Sequence, residues 1–420
     1  MCLQQCQEFR YRAFKKFTPA KDVARFTGPY HYCMDPFDPV NALLERIRAA
    51  ATSPRKPVLR LRGSGSKDFL GAGLRGEVLD TCALSGIINY EPSELVVTVL
   101  TGTPLRALER ALAESHQHLA FEPPHFGAGT TVGGMLASGL SGPARATAGA
   151  VRDFVLGARL INGLGEHLTF GGQVIKNVAG YDLSRLLCGS WGTLGLITEV
   201  SLKVLPLAPA EATLRCSGVG QAAALALLHR WGGQPLPLHA SCWLHDDSAS
   251  PAADHLYVRL RGAMAAVQTA IPRMLGDMQA AGGAAQQMDN AQAMPDWRAC
   301  ADQTLPFFNQ EPTPQHALWR LSLPQTAPVL DVPYPVFVEW QGAQRWLWAP
   351  ADAAPALRQA AQAAGGHATL FRTSSAGGEA DKTVGVFSPL PPVQRRIQTE
   401  LQRQFDPHGL FATGRLGIGA

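Results

Sequence analysis

Short apolar runs separated by glycine-rich turns make up the chain from residue 56 to residue 100. Four of these runs are rich in Val, Ile and Leu, which is typical of β-strands. They lie at 58–62, 77–81, 87–91 and 94–100. The pattern then changes to helical spacing, which predicts a helix over 103–115.

This helix has a clear hydrophobic face and clear start signals. Leu105, Leu108 and Leu112 fall on one side of it. Thr103 is the predicted N-cap and Pro104 the predicted first helical residue. Strand, turn and helix alternate here, so we predict the α+β fold class.

The next elements end at a proline-marked boundary. A helix is predicted over 182–190, with Asp182 as its N-cap, and a strand over 194–207. Pro206 and Pro209 then mark the boundary.

Beyond this boundary, apolar strands alternate with Ala-rich helices, which predicts an antiparallel sheet covered by helices. The helices are expected near 263–282 and 353–364, and tryptophans in the strands are expected in its core. Residues 371–383 are predicted to form an exposed loop, and a last helix follows Pro392. The predicted division of the chain is 1–33, 34–207, 208–385 and 386–420.

Composition excludes several classes of protein. Hydrophobic residues make up 46% and charged residues 17% of the 420 residues, which is too apolar for a disordered chain. The mean hydropathy is −0.02, and no window of 18 apolar residues predicts a membrane helix. A chain of this length is expected to form at least two folding units.

The net charge of +4 is confined to one end of the chain. Residues 1–33 hold six basic and two acidic side chains, and the rest of the chain is neutral, so no nucleic-acid partner is expected. This segment lacks the apolar run of a secretory signal, and we expect a cytoplasmic protein. Either the segment is a basic docking arm or it is a non-native extension and the natural chain starts at Met34.

Cysteine and histidine positions predict no metal site. The eight cysteines lack paired CxxC spacing, so neither an iron–sulfur nor a zinc pattern is present. His116 and His118 have no carboxylate near them in the sequence, and we interpret them as part of a solvated helix end.

The glycines predict binding of a ligand close to the main chain. The run GAGLRG at 71–76 fits G-x-G-x-x-G, but a strand follows it where a dinucleotide-binding motif needs a helix, so we predict a hairpin connection. Two other segments are better candidates. RLRGSGSKDF at 60–69 can align backbone N–H groups as an anion nest, and the small residues of 126–170 would let a flat cofactor lie on the backbone.

These two segments, followed by IKNVAGYDLSRLLCGSWGTLGLITEVSLKVLP, occur in an order that resembles the FAD-binding domain of the p-cresol methylhydroxylase (PCMH) and vanillyl-alcohol oxidase superfamily. Within it, the chain is similar to the FAD-binding E subunits of bacterial glycolate oxidases, also called glycolate dehydrogenases. FEPPHFG, GAVRDFVLG and, in the second half, GGHATLF carry that similarity. The collinear match covers about residues 40–420.

The resemblance implies a PCMH-type FAD-binding domain of two α+β subdomains over 34–207 and a cap domain over 208–385. The segment 386–420 would return toward the flavin. Backbone N–H groups of two loops would hold the FAD pyrophosphate. The implied cofactor-binding residues are Arg62, Gly63, Ser64, Gly65, Ser66, Thr130, Thr131, Val132, Gly133, Gly134, Ser138, Gly142, Gly149, Gly195 and Ile197. No histidine stands in either loop where covalently flavinylated relatives carry one, so noncovalent FAD is implied.

The resemblance also implies a function, to which two alternatives remain. It implies an FAD-binding subunit of a complex that oxidises glycolate, a small 2-hydroxy acid, to glyoxylate. Electrons would pass to a larger flavin-binding subunit and an iron–sulfur subunit. Through these partners, the chain would associate with the inner face of the cytoplasmic membrane. The alternatives are a non-catalytic flavin carrier or assembly subunit, and a stand-alone FAD oxidase of another alcohol or sugar.

Two departures from the superfamily concern catalysis. The run H-x-G-D-G-N-x-H, which supplies metal and base in single-chain relatives, is absent. The C-terminal N-P-G-R ending stands here as Ala412-Thr413-Gly414-Arg415. Arg415 is the single candidate catalytic residue, because a guanidinium suits a carboxylate or a phosphate; a surface arginine is the alternative. A polar pocket in the cap with an arginine and a base would favour catalysis, and a closed apolar one a carrier.

Overall fold

A computed structural model describes residues 38–172, 182–247 and 252–417. The chain divides into two units, residues 1–38 and 39–420, and the elements below belong to the second. Its α-helices are α1 (Pro39–Thr52), α2 (Leu105–Ala113), α3 (Val132–Ser138), α4 (Arg145–Ala148), α5 (Leu183–Leu186), α6 (Gln221–Gly232), α7 (Met264–Ala280), α8 (Asn290–Asp302), α9 (Pro306–Asn309), α10 (Ala354–Ala363) and α11 (Pro392–Phe405). Its strands are β1 (Leu59–Arg62), β2 (Glu77–Asp80), β3 (Ile87–Glu91), β4 (Val96–Leu100), β5 (Gln117–His118), β6 (Val155–Ile161), β7 (His167–Gly171), β8 (Leu196–Lys203), β9 (Leu205–Pro206), β10 (Ala210–Ser217), β11 (Leu238–Asp246), β12 (Ala253–Gly262), β13 (Ala284–Gln287), β14 (His316–Ser322), β15 (Val336–Glu339), β16 (Gln344–Pro350) and β17 (His367–Arg372).

Two small sheets and one larger sheet form the first half. β3, β4, β8, β6 and β7 make an antiparallel sheet in that order, and β5 pairs with β9. β1 and β2 pair in parallel. The predicted hairpin at 71–76 is therefore wrong, because parallel strands need a crossover rather than a tight turn. The rejection of a dinucleotide-binding motif is confirmed, since β2 follows these glycines.

The helix α2 is confirmed, but its predicted cap is wrong. Leu105, Leu108 and Leu112 are buried in the core of the first half, as their spacing predicted. The N-cap position is Pro104, without a side-chain cap. Thr103 instead donates its hydroxyl to the carbonyl of Leu100 and accepts from the backbone N–H of Gly86. By contrast, Asp182 does cap α5 by accepting from the N–H of Arg185.

An antiparallel sheet of eight strands, in the order β13-β10-β12-β11-β15-β16-β14-β17, forms the second half. Alternate residues of each strand point to opposite faces. One face packs against α6, α7 and α10. On the other face, Cys242, Phe337 and Trp346 pack with α8 and with Leu70 and Leu140 of the first half. This second face therefore meets the part of the chain that carries the glycine-rich segments.

The predicted core role of the tryptophans is confirmed, and the predicted exposed loop is partly wrong. All five predicted core tryptophans are buried: Trp243, Trp319, Trp340, Trp346 and Trp348. Within 371–383, Phe371, Ser374 and Asp381 are buried as well. Asp381 accepts from the backbone N–H of Ser374 at 2.7 Å, so a local hydrogen bond folds these polar residues inward.

The C-terminal segment returns to β1 and to the loop after it. The N–H of Leu59 donates to the carbonyl of Leu410, and the N–H of Ala72 donates to that of Arg415. Leu410 and Phe411 are buried with the apolar face of α1. The segment is thereby held against the residues that surround the candidate site.

Candidate cofactor site

A cleft opens between the loop after β1, the start of α3 and the start of β8. Its lining brings together ten of the residues predicted to bind the cofactor and the one candidate catalytic residue. These are Arg62, Gly63, Ser64, Gly65, Ser66, Thr131, Gly133, Gly134, Gly195 and Ile197, and Arg415 joins them from the C-terminal segment. Residues distant in the sequence therefore meet at one place, as expected for a binding site.

The first loop, residues 63–68, presents free backbone donors. The N–H groups of Ser64, Gly65 and Lys67 make no hydrogen bond with the residues that the structure describes. Gly65 has a φ of +77°, and a β-carbon there would collide with the guanidinium of Arg62. Successive amides in such a turn form a concave anion site. This geometry fits a phosphate group.

The second loop, residues 131–134, differs from what the resemblance implied. Three of its four N–H groups are already used inside the protein: those of Val132 and Gly133 donate to the carbonyls of Thr103 and Thr101. That of Gly134 donates to the hydroxyl of Thr131 at 3.1 Å. The N–H of Thr131 makes no hydrogen bond with the described residues, so the loop contributes shape and one free donor. It also lies very close to the first loop, since a β-carbon on Gly63 would stand 2.5 Å from Thr131 Oγ1.

The third wall of the cleft is built by the turn before β8. Gly195 has a φ of +143°, and a β-carbon there would lie 2.4 Å from the carbonyl oxygen of Ile161. Only glycine fits this close approach between two strands. Trp191 lies in the same wall and stacks under the guanidinium of Arg415, 4.4 Å from its ring centre.

Five predicted cofactor-binding residues lie outside the cleft lining. Thr130 is buried, and its hydroxyl oxygen is 2.9 Å from that of Ser66, so it joins the two loops. Val132 is a core residue of the first half. Ser138 donates to the carbonyl of Met135. Gly142 accepts from Trp340, which directly follows β15, and Gly149, at a φ of +103°, ends α4. For these five, the contacts indicate structural roles.

The charged side chains of the cleft leave it with a net formal charge of +2. Arg62, Lys67 and Arg415 supply three cations and Asp68 one carboxylate. Arg62 pairs with Asp68 at 2.7 Å, which raises the pKa of the guanidinium. A cleft with this charge attracts a dianion such as a pyrophosphate.

Arg415 is largely used by the protein itself. Its Nε donates to the carbonyl of Leu70 at 3.1 Å, and an Nη donates to the carbonyl of Lys67. Burial lowers the pKa of Arg415 to about 10. The residue therefore fastens the first loop to the C-terminal segment, which excludes the interpretation as a surface arginine.

The lining residues that sequence reasoning missed include Thr101, Lys67 and Trp191. Thr101 supplies the carbonyl that holds Gly133, and Trp191 supports Arg415. The one available signal was the position of Lys67 within the first loop. Sequence alone does not separate a solvated lysine from a buried one.

Two further cavities adjoin the eight-stranded sheet. One, of about 20 Å³, lies between the halves and is lined by Phe126, Arg320, Glu339 and Phe371, among others. The other, of about 740 Å³, is walled by aromatic side chains and carboxylates, and contains none of the predicted cofactor-binding residues.

In the smaller cavity, Arg320 and Glu339 differ in their hydrogen-bond partners. The Nε of Arg320 makes no hydrogen bond with the described residues, the guanidinium lies over the ring of Phe371 at 5.4 Å, and burial lowers its pKa to about 10. Glu339 accepts from Trp346 and Gln344, while burial raises its pKa. The cavity thus holds an unpaired cation next to a satisfied carboxylate.

Comparison with known proteins places these features in a family. The FAD binding domain family matches residues 40–171, which include the first two loops of the cleft. The chain is 42% identical over 375 residues to glycolate oxidase subunit GlcE of Escherichia coli (strain K12). That match covers 89% of this chain and 96% of the other protein. The chain belongs to the GlcE family.

Other similarities are more limited. Glycolate oxidase subunit GlcD of Bacillus subtilis (strain 168) is 32% identical over 173 residues, 41% of this chain and 36% of that protein. A solved alkyldihydroxyacetonephosphate synthase superposes with a TM-score of 0.62 at 12% identity, over 88% of this chain and 74% of that chain. At this identity the superposition supports the fold alone.

Membership of the GlcE family confirms several expectations from sequence. The α+β fold class with a PCMH-type FAD-binding domain is confirmed, and FAD is the cofactor. The chain is a member of an FAD-dependent oxidoreductase family. The cleft fits the cofactor, because free amides, a net positive charge and a groove kept open by glycines suit a dinucleotide.

Two observations concern metals and membranes. Among residues 38–172, 182–247 and 252–417, no group of three or more His, Cys, Asp or Glu side chains is placed to hold a metal. Within the same part of the chain, no helix is both long and apolar enough to span a bilayer.

Proposed function

We propose that this chain is the FAD-binding subunit of a multi-subunit glycolate oxidase and supports the oxidation of glycolate to glyoxylate. The observation that carries the proposal is the cleft: its free amides and positive charge lie in a chain that matches GlcE over nearly its whole length. The N–H groups of Ser64, Gly65 and Lys67 would hold the pyrophosphate. The glycines at 63, 65 and 195 keep room for it.

The chemistry requires that two electrons and two protons leave glycolate. A hydride leaves the α-carbon and a proton leaves the hydroxyl group, which gives glyoxylate. FAD, when bound, supplies the acceptor for the hydride. The binding is proposed to be noncovalent, because the cleft lining contains no His, Cys or Tyr among the described residues.

Electrons are proposed to leave through partner subunits. The five cysteines that the structure describes are free, and burial raises the pKa of Cys188, Cys216, Cys242 and Cys300, which disfavours the thiolates that a cluster needs. A larger flavin-binding subunit and an iron–sulfur subunit are the proposed partners. Association with the inner face of the cytoplasmic membrane would then depend on them.

A carrier role without chemistry is the second candidate, and the cavity at Arg320 favours it. A cavity of about 20 Å³ has room for about one water molecule. Glycolate does not fit without movement of the surrounding aromatic side chains. The arginine expected of a catalytic pocket is present, but the space beside it is too small for the substrate.

Anaerobic titration distinguishes the two functions. The chain is purified alone, and its visible spectrum is recorded before and after addition of glycolate. A yellow protein that glycolate bleaches shows that this subunit oxidises the substrate itself. A yellow protein that glycolate does not bleach, but that is reduced once the partner subunits are added, shows the carrier role. A colourless chain that takes up no added FAD would contradict both.

A substitution in the complex adds a second test. Arg320→Met is compared with the unchanged complex for FAD content and for glycolate turnover. Loss of turnover with full FAD content supports chemistry at this subunit. Unchanged turnover supports the carrier role.

A further inference from the structure

Lys67 is a buried cation without a partner. Its side chain is 6% exposed, and its Nζ makes no hydrogen bond with any residue that the structure describes. The ammonium group lies over the ring of Phe126, 5.6 Å from the ring centre. Burial of an unpaired ammonium group is costly. A cation kept at such a cost points to an anion supplied from outside the chain.

The charged groups around Lys67 do not neutralise it. Asp68 is paired with Arg62 at 2.7 Å. Asp302 accepts from Arg298 and from the backbone N–H of His125, both at 2.9 Å. Arg415 is the other cation nearby, and it donates to the backbone carbonyl of Lys67. Both neighbouring carboxylates are therefore engaged elsewhere.

The position of Lys67 connects the cleft with the eight-stranded sheet. Its backbone N–H is one of the free donors of the first loop, and its side chain lines the same cleft. Phe126, under the ammonium group, also contacts Phe69 and Phe371 at ring distances of 5.3 and 6.2 Å. An apolar wall thus lies on one side of the ammonium group and the cleft on the other. Such surroundings strengthen an interaction with an anion that enters the cleft.

We propose that Lys67 is a cofactor-binding residue whose ammonium group holds a negatively charged part of FAD. This rests on the proposed function, namely that the cleft binds FAD. Two parts of FAD carry such charge: the pyrophosphate, and the pyrimidine edge of the flavin ring after reduction. A desolvated cation at hydrogen-bonding distance would stabilise the negative charge of either part.

The test compares Lys67→Met with the unchanged chain and with Lys67→Arg. Met keeps the length and apolar character of the stem and removes the charge. Lys56→Met, which removes an exposed lysine outside the cleft lining, is the matched control. Each protein is prepared without flavin, and its affinity for FAD and for ADP is measured by calorimetry. The midpoint potential of the bound flavin is then measured by anaerobic titration with a dye.

Lys67→Met is expected to bind FAD at least tenfold more weakly or to lower the midpoint potential, with at least partial recovery in Lys67→Arg. A parallel loss of ADP affinity identifies the pyrophosphate as the group held. An unchanged ADP affinity with a lowered potential identifies the flavin ring. Unchanged FAD affinity and potential in a folded Lys67→Met protein would overturn the proposal. If the unchanged chain binds no FAD, the proposed function itself fails, which is a separate outcome.

Discussion

Ser64 and Lys67 lie three residues apart in the first loop, but only one of them is exposed to solvent. Ser64 is exposed and Lys67 is buried. Because Ser64 packs against little, a substitution there changes the charge of the loop with little effect on the core. A substitution at Lys67 changes the interior of the protein. The two positions therefore test the cleft in different ways.

Ser64→Asp is expected to weaken FAD binding about tenfold or more. A carboxylate in the loop would lie close to the pyrophosphate, and repulsion between such charges at a partly solvated site costs on the order of 1–2 kcal/mol. Ser64→Asn has the same shape without the charge and is expected to bind FAD nearly as the unchanged chain does. The dissociation constants are measured by flavin fluorescence. Equal affinities of the two variants would show that the phosphate does not lie at this loop.

Lys67→Met is expected to stabilise the flavin-free protein at pH 7 by up to about 3 kcal/mol. Burial, together with Arg415, lowers the pKa of Lys67 from 10.5 to about 8. The folded protein therefore bears the cost of the buried charge in full below pH 8. As the pH rises from 8 toward 10.5, Lys67 loses its proton in the folded state first, and the cost disappears.

The difference in stability between Lys67→Met and the unchanged chain should therefore shrink over this pH range. Urea unfolding at pH 7 and above pH 10 measures it, with Lys56→Met as the control. A variant that is less stable at pH 7 would show that Lys67 contributes to packing rather than to ligand binding. Higher stability combined with weaker FAD binding would mark a residue kept for function.

At the scale of elements, the two loops of the cleft are packed against each other. A β-carbon on Gly63 would meet Oγ1 of Thr131, the residue that caps α3. Thr130 also joins Ser66 of the first loop through their hydroxyl groups. The shape of the cleft therefore depends on small residues in one loop and on hydroxyl groups in the other.

A double-mutant cycle on Gly63 and Thr131 is expected to show strong coupling. Gly63→Ala alone should cost about 1–3 kcal/mol of unfolding free energy because of overpacking. Thr131→Ala should cost about 1 kcal/mol through loss of the cap. The double variant should cost at least about 1 kcal/mol less than the two together, because the nearest remaining atom, the β-carbon of residue 131, is 3.4 Å away. Denaturant unfolding of the four proteins measures this, and additive costs would contradict the contact between the loops.

Local sequence patterns were sufficient to predict most helices and strands. The wrong predictions concern contacts between residues that are distant in the sequence. The buried leucines of α2 and the cap at Asp182 follow from nearest neighbours in the sequence. The crossover at 71–76 does not follow from local sequence, because β1 pairs in parallel with β2, which lies beyond this loop. The free amides of the first loop were predicted, whereas those of Val132 and Gly133 are taken by carbonyls of Thr103 and Thr101 some 30 residues earlier. The periodicity of apolar residues along the sequence does not indicate such long-range backbone hydrogen bonds.

At the scale of the whole molecule, the cleft joins segments from both ends of the second unit. Arg415 reaches back to Leu70 and Lys67, 345 and 348 residues away in the sequence. The carbonyls of Thr413 and Arg415 accept from the N–H groups of Arg75 and Ala72. Residues of the C-terminal segment are therefore part of the cleft wall or support it.

Truncation of the N-terminal end should leave the FAD content unchanged, whereas truncation of the C-terminal end should reduce it. The cleft lining lies between Leu61 and Arg415, and the second unit begins at Pro39. A chain that begins at Met34 should therefore keep its FAD and its melting temperature, although it loses the +4 charge of residues 1–33. A chain that ends at Ala412 should lose FAD, because the first loop loses its anchor and the cleft loses a cation. The ratio of flavin to protein after gel filtration measures both. Loss of FAD in the chain that begins at Met34 would show that residues 1–33 support the cleft, and would favour their interpretation as a native docking arm.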